Sequence, residues 1–131
     1  MGLKFKKIIK DIFQGIIEII YPIEDKCIIC NEDECYGICN TCLNKIKAIP
    51  LKYQGDIISY GYYGGILKEL ILKFKYKSDF TAGTILSNLL TEYIINNITY
   101  EDYVITYVPL SKKSKRKRGF NQCEYISKYI A

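Results

Sequence analysis

The chain has 131 residues, 49% of them hydrophobic and 25% charged, with six Cys, thirteen Tyr and neither His nor Trp. That length holds one ordinary domain, or a small module and part of a second, and the apolar fraction suffices for a core. The net charge is +5, yet residues 111–118 alone carry +6, so the remainder stands at −1 and a generally cationic surface is excluded.

Residues 3–20 read as an amphipathic helix. Ile8, Ile9, Ile12, Phe13, Ile16, Ile19 and Ile20 share one broad face, Lys6, Lys7, Lys10, Asp11 and Gln14 fall largely off it, and Pro22 ends it. Docking on the domain is the plainer role for such a helix. A membrane-surface role is the alternative, against which stand the absence of Trp and a polar face that is not uniformly basic. The start at Lys4 has the charge of a signal-peptide leader, but Lys10, Asp11 and Glu18 interrupt the apolar run and no small-residue cleavage site follows. The same charges exclude a transmembrane segment here. The expected setting is cytoplasmic and reducing.

Five of the six cysteines lie within sixteen positions: Cys27, Cys30, Cys35, Cys39 and Cys42. Cys27-x2-Cys30 and Cys39-x2-Cys42 each place two thiolates on one tight turn, and two such turns facing one another make a tetrahedral four-sulfur site that suits structural Zn2+. Four Cys ligands leave no open position for substrate, so no catalytic residue is assigned here. Gly37 helps the chain turn before the second pair. Cys35 is a fifth candidate ligand, taken as a bystander because its spacing to Cys39 is too wide. Iron–sulfur or redox chemistry and disulfides remain the alternatives for the cluster. Cys123 reads as a small buried apolar residue, since no His exists to activate it as a nucleophile.

Beyond a boundary expected near Ala48 to Gln54, residues 56–63 read as a strand ending at Gly64-Gly65. A helix follows over 66–76, with Ile66, Leu67, Leu70, Ile71 and Phe74 on its core side. A second helix covers 80–96, with Ile85, Leu86, Leu89, Leu90, Tyr93 and Ile94 inward. Residues 103–108 read as a buried strand. Residues 121–130 read as a last helix, with Asn121 as N-cap and Glu124 completing a capping box.

Between that strand and that helix lies a cationic loop: Lys112, Lys113, Lys115, Arg116, Lys117 and Arg118, then Gly119. By composition alone it is a solvated charge run or a nonspecific nucleic-acid contact. Its position after a strand and before a helix N-terminus favours anion binding, with Gly119, Asn121 and Gln122 completing the site. The anion is either a phosphorylated metabolite or a nucleic-acid backbone. Aromatic residues do not interleave the run, which weighs against base stacking.

With these residues in view, the chain resembles the ComF family of phosphoribosyltransferase-like competence proteins. Three groups of residues carry the likeness in order: an apolar N-terminal helix running into Cys27, Cys30, Cys39 and Cys42; Tyr62-Tyr63-Gly64-Gly65 followed by Leu67 to Tyr76; and Val108-Pro109-Leu110 through Arg116, Arg118-Gly119-Phe120-Asn121-Gln122, similar to V-P-x…R-x-R-G-F-N-Q. The resemblance implies an α/β architecture. It comprises an N-terminal helix (1–25), a four-cysteine zinc ribbon (26–50) and a partial type I phosphoribosyltransferase-like domain (51–131), with a role in DNA uptake. It implies DNA, single- or double-stranded, and other competence proteins as partners. Ser114 stands where the family often has a basic residue. The family's D-D-x-x-T-T-G motif, which holds the 5-phosphate of phosphoribosyl pyrophosphate, does not occur in these residues. The expectation is therefore a truncated chain with half a site, inactive alone, with Mg2+ and phosphoribosyl pyrophosphate belonging to a complete family member. The alternatives are a nucleic-acid-binding or partner-docking zinc module, or a nonfunctional fragment.

Overall fold

The computed structural model describes residues 25–50, 57–98 and 103–131. The amphipathic helix expected over 3–20 lies outside the described residues. In chain order the helices are α1 (Asn40–Leu43), α2 (Gly65–Lys77), α3 (Phe80–Asn97), α4 (Lys112–Arg118) and α5 (Gln122–Ile130).

Helices α2 and α3 form a hairpin joined by two residues. Ser78 takes the left-handed conformation that closes α2 (φ 53°), and Asp79 caps α3 by accepting the Ala82 N–H at 3.1 Å. The spacing of Leu67, Leu70 and Phe74 gives α2 one buried stripe. It meets Ala82 and Ile85 of α3. The two helices approach closely at Gly83, where a Cβ would come within 2.5 Å of the Phe74 ring. Helix α5 lies against α3: Thr84 and Tyr125 share a hydrogen bond at 3.1 Å, and Tyr129 donates to the Asn88 side chain at 2.7 Å. Phe74, Phe80, Phe120 and Tyr125 form an aromatic cluster with ring centroids 5.0–6.2 Å apart. Ile28, Ile29, Ile38 and Ile46 of the cysteine region pack on the same core, so the thiol cluster and the helices share one apolar interior.

Four sequence expectations need correction. The first is the α/β sheet: among the described residues β structure is limited to isolated bridges, Lys26 with Asp33, Cys27 with Gly37 and Ala48 with Gly61. Of the strand expected over 56–63, the described residues 57–63 hold only isolated bridge positions, at Ile57 and at Gly61, which pairs with Ala48 beside the hydrogen bond from the Ile49 N–H to the Tyr60 carbonyl. Residues 103–108 run without a strand partner among the described residues and are exposed rather than buried, Val104 at 92%. Their apolar run has strand character, but a strand also needs a neighbour for its N–H and C=O groups, and local pattern does not supply one.

The second correction concerns residues 112–118, which form a helix and not a loop. Ser111 caps it by accepting the Ser114 N–H, and Gly119, at φ 81°, ends it. Lys and Arg are good helix formers, and four cations in the last turn suit the negative end of the helix dipole. Third, Cys123 is exposed, because the stripe of α5 that faces the core runs through Gln122, Tyr125 and Ile126 and leaves it outside. Fourth, the capping box is only half made. Asn121 Oδ1 accepts from the Cys123 and Glu124 N–H groups, whereas the Glu124 carboxylate takes Lys128 Nζ at 2.7 Å.

Candidate metal centre and basic groove

The first cysteine turn is closed by the Asn31 N–H, which donates to the Cys27 carbonyl at 2.9 Å, with Asn31 itself at φ 60°. The chain returns through Gly37, whose φ of 80° favours glycine and whose carbonyl accepts the Ile28 N–H at 2.8 Å. Cys39 then serves as the N-cap of α1: its Sγ accepts the Cys42 N–H at 3.4 Å, while Cys27 Sγ accepts the Cys39 N–H at 3.4 Å. Backbone donors aimed at sulfur favour the thiolate form that a metal requires.

These turns bring the four Sγ atoms of Cys27, Cys30, Cys39 and Cys42 within 4.8 Å of one another, with Cys30 and Cys39 3.6 Å apart. A tetrahedral site with Zn–S bonds of about 2.3 Å has sulfurs about 3.8 Å apart, so the cluster has the dimensions for such an ion. The donor set is consistent with zinc and is shared by other thiophilic metals. Cys27, Cys39 and Cys42 are buried and Cys30 is exposed, which makes Cys30 the solvent-side ligand. Cys35 packs beside the cluster and is not part of the four-sulfur group. None of the six cysteines is joined in a disulfide in this structure.

The thiols are not equivalent. Burial acts to raise the Cys27 pKa, but the backbone N–H groups of Cys30, Cys39 and Ile29 outweigh it and bring it down to about 6. Cys39 is pushed up, first by a hydrogen bond to the Glu32 carboxylate. Burial and the Cys30 side chain push Cys42 up. A metal entering the cluster therefore meets one thiolate ready-made and must displace protons from Cys39 and Cys42.

The basic residues form a second feature. Lys112, Lys113, Lys115, Arg116 and Lys117 are exposed on α4, and Arg118 is half-buried. Arg118 donates to Gln122 Oε1 at 3.3 Å and lies over the Tyr76 ring at 5.9 Å. Gln122 in turn donates to the Lys75 carbonyl at 3.5 Å, so the end of α2 and the end of α4 are held side by side. Between them is an open cavity of about 430 Å³ lined by Lys75, Tyr76, Ser78, Lys113, Ser114, Lys117 and Arg118.

The sequence assigns anion binding to Lys112, Lys113, Lys115, Arg116, Lys117 and Arg118 together with Gly119, Asn121 and Gln122 at the start of the last helix. In the structure, two N–H groups there are already taken by Asn121, whose amide also donates to the Val108 carbonyl at 3.2 Å. Gly119, Asn121 and Gln122 thus shape the join between α4 and α5, and the cations stand along α4 itself. Lys75, Tyr76 and Ser78 were missed by sequence reasoning. They lie some forty residues away in sequence, and nothing in their local pattern marks them as partners of the basic run.

Fold and site define a mainly helical protein built around a four-cysteine cluster able to hold a metal ion. Among the described residues no helix is long and apolar enough to cross a membrane. Comparison with known proteins assigns it no further: no family model matches the chain, and no curated protein or solved structure does so either.

Proposed function

We propose that this is a ComF-like zinc protein that binds the phosphates of nucleic acid through its basic helix, in a role related to DNA uptake. Zn2+ held by Cys27, Cys30, Cys39 and Cys42 is structural, because four thiolates fill its coordination sphere. The ComF assignment rests on the order and spacing of the three residue groups described above. A partial phosphoribosyltransferase-like domain over 51–131 and contacts with other competence proteins follow from the same likeness. No transferase step is included, since D-D-x-x-T-T-G is absent from these residues.

The observation that carries phosphate binding is the state of the six cations. Lys112, Lys113, Lys115, Arg116, Lys117 and Arg118 share one short helix, and among the described residues none forms an ion pair. A cation without a carboxylate partner exchanges its counterion for a phosphate at little cost, and counterions released from the nucleic acid drive association. If about four of the six engage phosphates, the log–log salt slope on duplex DNA is near −3.6, at ~0.9 per contact. Fluorescence anisotropy across a salt series measures it. Replacing Lys112 and Arg116 with Ala should flatten the slope by roughly two units without changing sequence preference. Absence of binding at low salt, with the protein folded and metal-loaded, would refute the proposal.

A further inference from the structure

We infer that the groove between the ends of α2 and α4 is a single-strand nucleic-acid site, with Tyr76 as the platform for one base. The inference rests on the phosphate-binding reading of α4 and names the form of nucleic acid that the site takes. Three observations carry it. The first is chemical composition. Lys75, Lys113, Lys117 and Arg118 supply four cations, Ser78 and Ser114 supply two hydroxyls, and no carboxylate lines the groove among the described residues. Such a lining fits a run of phosphates.

The second observation is Tyr76, a residue 64% exposed at the groove although the apolar faces of α2 and α3 have a core to join. The basic run itself contains no aromatic residue. Folding supplies one from α2, and the combination of a cationic track with an exposed ring is what single-strand binding surfaces use. The third is the pairing of ring and cations: Lys75 Nζ lies 5.3 Å and Arg118 Cζ 5.9 Å from the Tyr76 centroid. A base entering the groove replaces one of these cations on the ring face. The displaced cation is then beside the strand's own phosphates, so a cation–π contact is exchanged for a stacked base and an ion pair. A duplex offers no such exchange, because its bases are stacked on each other inside the helix. It engages the outward cations of α4 alone.

The test uses the full zinc-loaded chain and three fluorescent 12-mers: oligothymidylate, an abasic sugar–phosphate strand of equal length, and a duplex. Anisotropy titrations at one salt concentration are compared. A stacked base contributes roughly 5- to 150-fold in affinity, so oligothymidylate should bind at least about five-fold more tightly than the abasic strand. Tyr76→Ala should remove that advantage and leave duplex affinity unchanged, and Tyr76→Phe should keep it. Equal affinity for oligothymidylate and the abasic strand overturns the inference without any variant being needed. Equal loss of duplex and single-strand binding in Tyr76→Ala also overturns it, since Tyr76 would then act by holding Arg118. If the wild-type chain binds none of the three, the phosphate-binding reading has failed too. If it binds duplex and abasic strand but shows no preference for bases, only the single-strand assignment is lost.

Discussion

Replacing Gly37 with Ala perturbs the cysteine cluster without touching a ligand. Gly37 sits at φ 80°, pairs with Cys27, and offers its carbonyl to Ile28. The new methyl would meet Ile85 Cδ1 and Thr81 Cγ2 at 3.5 Å, which is ordinary contact, so sterics beyond the residue itself add nothing. What remains is the cost of holding an L-residue in the left-handed region, roughly 1–2 kcal/mol. Because folding of the cysteine turns is coupled to metal binding, that cost appears in the apparent metal affinity. Zinc affinity should fall about 5- to 30-fold, by the conversion of 1.4 kcal/mol to a factor of ten. Competition against a chromophoric chelator at fixed pH reads it directly. Unchanged affinity would show that the Gly37 turn is not needed for the four sulfurs to converge, and a total loss of zinc would show that the methyl does more than strain one residue.

Gly83→Ala should behave differently, because its Cβ would strike the Phe74 ring, which Phe80, Phe120 and Tyr125 hem in. Overpacking of about 1–3 kcal/mol is set against a helix-propensity gain of roughly 1 kcal/mol, so urea unfolding of the metal-loaded protein should shift to lower denaturant; a higher midpoint contradicts this. Zinc affinity should rise between pH 6 and 8, because binding displaces protons from Cys39 and Cys42, whose thiols are pushed up. A pH-independent affinity would mean that those thiols are already ionised. The Lys128 ammonium, helped by Lys115, holds the Glu124 carboxyl below its usual range against the opposing effect of burial. A depressed carboxyl pKa stabilises α5 above the unfolded value of about 4.3, and that contribution is lost as pH falls through the folded pKa. The Glu124 carboxyl resonance should titrate below that range in the wild type and move back toward it in Lys128→Ala, and identical midpoints in the two proteins would count against the pair.

The readable parts of the chain were those with local causes. The helices of the hairpin are legible because apolar residues recur at three and four along α2 and α3, and the start of α5 is legible because Asn121 is a capping residue in a capping position. The four metal-site cysteines could be chosen over Cys35 because each C-x-x-C fits a single turn. The strands failed for the opposite reason, since pairing depends on a neighbour that no local window contains. Residues 103–108 have strand composition and no strand partner among the described residues. The basic run reads as a loop in the sequence because its charges mask ordinary helix formers between Ser111 and Gly119. Tyr76 and Lys75 could not be joined to that run from sequence. Their meeting depends on the Gln122 amide reaching the Lys75 carbonyl across forty-seven positions.

Elemental analysis of the protein purified without chelator, for wild type, Cys39→Ser and Cys35→Ser in parallel, is the most direct test of the metal centre. Cys39 both carries a cluster sulfur and caps α1, whereas Cys35 lies beside the group. One zinc per chain is expected in the wild type and in Cys35→Ser, with zinc lost or held below one equivalent in Cys39→Ser. No zinc in the wild type, or full zinc in Cys39→Ser together with its loss from Cys35→Ser, would contradict the assignment of Cys27, Cys30, Cys39 and Cys42 as the ligands.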